Sequence, residues 1–153
     1  MLAKLRATNI HVVRQVANMP SKEADRCVKA DNPDAAVDAW RFDEKTAAET
    51  HGSISGWDTS RVKDMSELFD SKMTFNAQLN WDTSSVTRMD NTFSNAIRFN
   101  SELAWDTSKV TNMYGTFYNA KAFNQPLGDW DVAKVAVFNA DGYSMFGYTT
   151  LSG

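Results

Sequence analysis

Tryptophan returns at Trp57, Trp81, Trp105 and Trp130, at intervals of 24, 24 and 25 residues, and whole segments return with it. From Trp57 the chain reads WDTSRVKDMSELFDSKMTFNAQLN, and from Trp81 WDTSSVTRMDNTFSNAIRFNSELA. From Trp105 it reads WDTSKVTNMYGTFYNAKAFNQPLGD. Ten positions are identical in all three: W-D-T-S, then Val, Met, two Phe, Asn and Leu. Self-similarity at a fixed period marks an array in which no unit can bury its apolar side alone, so stability comes from stacked neighbours. Three units lie at the low end of what such stacking needs, so covers at both ends matter. A fourth unit opens at Trp130 as WDVAKV and then loses the pattern, as a terminal cap does.

Inside each unit the apolar period changes. Val62, Met65 and Phe69 are spaced i, i+3, i+7, as are Val86, Met89, Phe93 and Val110, Met113, Phe117, which predicts a helical turn or short helix. Period-two alternation follows, with Phe75, Ala77, Leu79 and Trp81 on one face and Asn76, Gln78 and Asn80 opposite, which predicts a short strand. In the third unit the extra residue in Gln125-Pro126-Leu127-Gly128-Asp129 breaks the phase, a bulge or turn where the regular stack ends. The expected fold is an α/β repeat solenoid. It is a leucine-rich-repeat-like, right-handed stack of about three 24-residue units, with short parallel strands, helical turns and a helical N-terminal cap.

The division along the chain follows. Residues 1–30 form a basic N-terminal arm or helix, 31–56 a helical cap, 57–129 the three repeats, and 130–153 a degenerate fourth repeat with a C-terminal cap. Asp31-Asn32-Pro33 offers a polar N-cap followed by proline, which suits a first helical turn. Val37, Trp40 and Phe42 are placed to cover the first unit. Asp43 opens a second short helix, DEKTAAET, with Gly52 as its stop. The closing FNADGYSMFGYTTLSG is read either as folding over the last unit or as a tail that a partner covers.

The W-D-T-S-x-V-x-x-M-x-x-x-F…F-N-x-x-L pattern resembles the BspA-like, DUF285-type leucine-rich repeats of bacterial surface proteins, lipoproteins and algal proteins. Thr111-Asn112-Met113 and Phe123-Asn124-Gln125-Pro126-Leu127-Gly128-Asp129-Trp130 carry the likeness most closely, and the lead-in from Ala35 to Trp57 is similar to the segment before such arrays. The likeness spans roughly residues 34–138. It implies a non-catalytic interaction or adhesion module and supplies no catalytic residues. The chain departs from the family in having only three well-kept units. It also shows no lipoprotein signal or cysteine acceptor near its start.

Charge is divided between the two parts of the chain. Residues 1–30 hold six basic groups against two acids, a net of +4, and the other 123 residues hold 10 basic and 17 acidic groups, a net of −7. The basic stretch with Lys4, Arg6 and Arg14 has three readings: a remnant of a plastid or mitochondrial transit peptide, an arm that docks on a partner or anionic surface, or a plain terminal helix. The overall charge of −3 argues against general nucleic-acid binding. The single cysteine, Cys27, excludes an internal disulfide framework and a multi-Cys zinc site. No apolar run approaches the roughly 18 residues needed to cross a bilayer.

Several residue columns invite chemistry. Asp58, Asp82, Asp106 and Asp131 recur once per unit. They are read as Asx turns, accepting from backbone N–H groups two residues on, rather than as a calcium ladder. Thr59, Thr83 and Thr107 form a column that could order water, though the fourth unit has Val132. Asn76, Asn100 and Asn124 are read as an amide ladder that satisfies backbone groups. The Trp57, Trp81, Trp105, Trp130 column is read as core stacking, with an exposed aromatic stripe as the alternative. His11 and His51 lack partners at metal-ligand spacing, Cys27 lacks a catalytic constellation, and no phosphate-binding, hydrolase or zinc-protease motif occurs. No cofactor and no catalytic residue is expected. Two non-enzymatic functions remain. One is a scaffold subunit of a larger assembly, gripping a neighbour with its basic arm and one face of the array. The other is a free-standing adhesion or ligand-binding module. The charge asymmetry and short array favour the first.

Overall fold

The computed structural model describes residues 53–57, 59–140 and 143–149. Each unit closes one coil, and successive coils stack in register. A coil begins at the tryptophan corner, where the Val62 N–H donates to the Thr59 carbonyl at 2.9 Å, a bond repeated from Val86 to Thr83 and from Val110 to Thr107. Next comes one residue of parallel pairing, Asp64 to Arg88 to Asn112 to Val137. Two consecutive turns follow: Leu68 donates to the Met65 carbonyl and Lys72 to the Phe69 carbonyl, with positive φ at Glu67 and Ser71. A third residue with positive φ is what a type II turn demands. The second coil meets it with Asn91 and Asn95, and the third with Gly115 and Asn119.

This corrects the expected α/β architecture. Among the described residues the helical content is one 3-10 turn, Ile54–Gly56, and the strands are a two-residue antiparallel pair, β1 (Asn139–Ala140) with β2 (Tyr143–Ser144). The spacing of Val62, Met65 and Phe69 mimics a helix because Val62 ends the corner turn inward and each of the two turns that follow places its first residue, Met65 or Phe69, inward. The N–H groups give the real geometry. Met65, Glu67, Phe69 and Ser71 donate not within a helix but to Arg88, Asp90, Thr92 and Ser94 of the next coil, at 2.7–3.0 Å. The segment from Phe75 to Trp81 alternates as expected, with Phe75, Leu79 and Trp81 buried and Asn76, Gln78 and Asn80 exposed. It forms no strand, because side chains intrude on the pairing: the side-chain Oδ1 of Asn76, not a backbone carbonyl, accepts from the Asn100 N–H at 2.7 Å. Of the predicted helical cap only residues 53–56 are described, with the single turn Ile54–Gly56, while the proposed helix starts at Asp31 and Asp43 and the Gly52 stop lie outside the described residues.

The fourth coil, opened by Trp130 beyond Gln125–Asp129, takes up the stack again and regains part of its pattern. Trp130 stacks on Trp105 at 6.4 Å and 7°, so the extra residue is absorbed before the column resumes. Val137 accepts from the Met113 N–H where Asn112 accepts from Met89, an offset of 25 residues. The β1–β2 hairpin then takes up four further residues. Beyond it Met145 accepts from Phe117 and Gly147 from Asn119, where Thr116 and Tyr118 accept from Phe93 and Asn95, an offset of 29. Phe146 thereby returns to the phenylalanine column, 5.6 Å and 3° from Phe117.

The core is a set of aromatic columns. Phe69, Phe93, Phe117 and Phe146 stack at 5.2, 5.5 and 5.6 Å with planes within 4°. Phe75, Phe99 and Phe123 stack beside them at 5.9 Å. Trp57, Trp81, Trp105 and Trp130 stack at 6.1–6.4 Å. Val86, Met89, Phe93 and Phe99 of the middle coil are fully buried. At about 1.5–3 kcal/mol per large apolar side chain removed from water, these columns supply the stabilisation that the short hydrogen-bonded elements cannot.

Candidate interaction groove on the turn face

The invariant positions are occupied with holding the stack together. Three tryptophans of the column donate their indole N–H to a carbonyl one coil back: Trp81 to Ile54 at 2.7 Å, Trp105 to Leu79 and Trp130 to Leu103 at 3.2 Å. Thr59, Thr83 and Thr107 are buried, and their hydroxyls donate to the carbonyls of Asp82, Asp106 and Asp131 at 2.9–3.0 Å, so this column presents no surface that could order water. Asp82, Asp106 and Asp131 each accept from the backbone N–H two residues on at 2.9 Å, while Asp58 lies outside the described residues. The Ser108 hydroxyl, and then its N–H, hold the Asp106 carboxyl below the ordinary aspartate range. Asn100 Oδ1 accepts from the Asn124 N–H at 2.8 Å, repeating the Asn76 bond.

Four of the ten positions that differ in every unit have another place. Positions 64, 66, 67 and 70 of the first coil, with their equivalents 24 and 48 residues on, hold a different residue in every unit: Asp, Arg, Asn; Ser, Asp, Tyr; Glu, Asn, Gly; Asp, Ser, Tyr. The double turn brings them onto one face. A groove of about 450 Å³ runs there across the three coils, lined by Glu67, Asp70, Asn91, Ser94, Asn95, Tyr114 and Tyr118. Six of these seven, all but Asn95, come from positions at which the three units all differ. A second cavity of similar size is lined by the repeated residues Leu103, Trp105, Asp106 and Trp130, and by Glu102, Ala104, Pro126 and Gly128 from two further positions that differ in every unit.

Side chains on this face are tied to one another along the stack. Asn119 Nδ2 donates to Asn95 Oδ1 at 2.8 Å, and Asn95 Nδ2 reaches Ser94 Oγ at 3.1 Å and Asp70 Oδ1 at 3.4 Å. On the flank Arg88 makes a two-pronged pair with Asp90, at 3.0 and 2.8 Å, and reaches Asp64 at 3.3 Å. The hydrogen bond to Asp90 holds the Arg88 guanidinium above its already high ordinary pKa. Tyr118 meets Tyr148 of the fourth coil edge-on at 5.5 Å, and Tyr148 is 75% exposed. The groove therefore passes from carboxylates through amides to phenols. The repeat does not single out these residues, because all but Asn95 occupy positions that differ in every unit; the signal for them is the variable positions, not the identities.

Lys4, Arg6, Arg14, His11, Cys27 and His51 lie outside the described residues. Among the described residues no three His, Cys, Asp or Glu gather as a metal site, and no helix is long and apolar enough to cross a membrane. No curated protein and no solved structure matches the chain. One family does: the model described as a Mycoplasma protein of unknown function, DUF285, matches residues 39–150, and the chain belongs to that family.

Proposed function

We propose that the chain is a non-enzymatic protein–protein interaction module, working as a small accessory subunit of a larger assembly. The observation that carries this reading is the division of labour within the repeat. Identical residues build the stack, and six of the seven residues that line the turn-face groove come from positions that differ in every unit. A stack of constant coils that varies one face reads as a display surface. The +4 stretch in residues 1–30, against −7 elsewhere, adds a second means of gripping a neighbour. Short, capped arrays suit a subunit that is itself partly covered.

The native mass of the protein in extract from its source tests this. Elution with a large complex, at fixed stoichiometry with a co-eluting protein and lost on deletion of residues 1–30 or alteration of the groove, is the expected outcome. Elution near 17.1 kDa refutes the subunit role and supports a free-standing adhesion or ligand-binding module.

A further inference from the structure

We infer that a partner protein adds a coil of the same kind to this stack. It lies on the outer face of the fourth coil, with a row of backbone carbonyls turned toward this chain. This rests on the interaction-module reading and adds to it a surface and the partner's chemistry.

The outer face of that coil is apolar. Val132, Val135, Phe138 and Phe146 stand where Thr107, Val110, Met113 and Phe117 stand in the third coil. With a coil stacked over them, the four residues of the third coil are at most 1% exposed. In the fourth, Val132 is 44% exposed and the other three are half-buried. Exposed Val137 extends the patch. The least covered position is thus valine where the buried ones of the first three coils are threonine. A coil with water on its outer face carries polar residues there, so an apolar face marks a surface that something covers.

Backbone donors select what covers it. Across the double turn the coil-to-coil N–H groups run one way: Met89, Asn91, Phe93 and Asn95 donate to the third coil, and Met113, Phe117 and Asn119 to the fourth. The next members of these rows are Phe138, Phe146 and Tyr148, whose N–H groups meet no acceptor among the described residues. A buried N–H left unmet is costly, so the cover brings carbonyls in one row at the same spacing. An ordinary strand edge mixes N–H and C=O groups, and the side of a helix keeps its carbonyls for its own N–H groups. A coil of this kind offers the row: the carbonyls of Arg88, Asp90, Thr92 and Ser94 all face the coil before them. A second copy of the chain does not fit. Two fourth coils face to face oppose N–H to N–H. The first coil has the matching polarity, but its Val62, Met65, Ser66 and Phe69 are at most 2% exposed, so it offers no open face. The added coil therefore belongs to a different protein.

Photo-crosslinking in the source cells tests the inference with the full chain. A benzophenone amino acid is placed at position 137 on the fourth coil and, separately, at position 114 in the turn-face groove, and the adducts are sequenced. The expected adduct at 137 is a segment of another protein with Trp, Val, Met and Phe at the spacing of this repeat. Val132→Asp puts a carboxylate under the added coil and is expected to lower the yield at 137 about tenfold at unchanged melting temperature. Val132→Thr restores the hydroxyl that reaches the next coil from Thr59, Thr83 and Thr107, and is expected to keep the yield. An adduct with this chain itself, or with a segment that lacks the repeat, overturns the proposal. So does a yield that ignores Val132→Asp or falls equally with Val132→Thr. Absence of any adduct at 137 also overturns it: adducts at 114 or elution in a large complex then leave the interaction module standing. No adduct at either site together with elution near 17.1 kDa overturns both.

Discussion

Phe93→Ala puts the stacked architecture to a quantitative test. The ring is fully buried and meets four others: Phe69 at 5.2 Å, Phe117 at 5.5 Å, Phe99 at 4.1 Å and Trp105 at 5.7 Å. Truncating a core phenylalanine costs about 3–5 kcal/mol, and aromatic pairs add about 0.5–1.5 kcal/mol each beyond their area. The upper end, about 5 kcal/mol, is therefore expected. Among the described residues Phe146 closes the same column, with Phe117 as its one column neighbour and its ring only half-buried. Its truncation should cost about 2 kcal/mol. Urea unfolding followed by tryptophan fluorescence separates the two, since slopes of about 1–3 kcal/mol per molar put the midpoints at least 1 M apart. Total stability is only about 5–15 kcal/mol, so Phe93→Ala risks unfolding the chain outright. Phe93→Leu, at about 1–2 kcal/mol, set against Phe146→Leu preserves the comparison. Equal losses at the two sites would refute a column in which a middle ring serves two interfaces and a terminal ring one.

Gly115→Ala forces an alanine to φ +59° and drives its Cβ into the Asn91 carboxamide, so a loss of about 1–3 kcal/mol is expected by thermal melting. The reverse holds at Ser71, where φ is +59° without glycine; Ser71→Gly should raise stability by about 0.5–1 kcal/mol, and a lowered melting point would contradict the turn assignment. Thr92→Val removes a buried hydroxyl that donates to the Met65 and Met89 carbonyls at 3.0 and 2.8 Å, and denaturant unfolding should register a loss of about 1–2 kcal/mol. Asp106 has a lowered pKa in the folded chain. Its contribution is therefore complete above the unfolded value and lost as pH falls through the folded one. An NMR titration midpoint at or above that of the same residue in a peptide would show the Ser108 bonds to be absent.

The period, the buried faces and the Asx turns were legible because each rests on residue types repeated at one spacing. The backbone path was not. Met65 and Phe69 face inward from successive turns, and their four-residue spacing cannot be told from a helical one by apolar pattern alone. The discriminating signs, Asn91, Asn95, Gly115 and Asn119 at the left-handed positions, are obscured by Glu67 and Ser71 in the first coil. The return of Phe146 was hidden because the hairpin between Ala140 and Tyr143 shifts the register by four residues. The groove was illegible for a different reason. It is built from what the repeat does not share, and only the fold reveals that Glu67, Asn95 and Tyr118 are neighbours.

The row of N–H groups that each coil hands to the next has a consequence for how such a chain can change. Met65, Glu67, Phe69 and Ser71 meet the same acceptors as Met89, Asn91, Phe93 and Asn95 do one coil later. The two boundaries between the first three coils therefore present the same two edges. A tandem duplication of one unit in the gene, cut at a tryptophan, would lengthen the molecule without inventing a new interface. It would also enlarge the display face by one more set of freely chosen residues. Recombination is thus an inheritance mechanism for size, and point substitution at a few outward positions one for recognition.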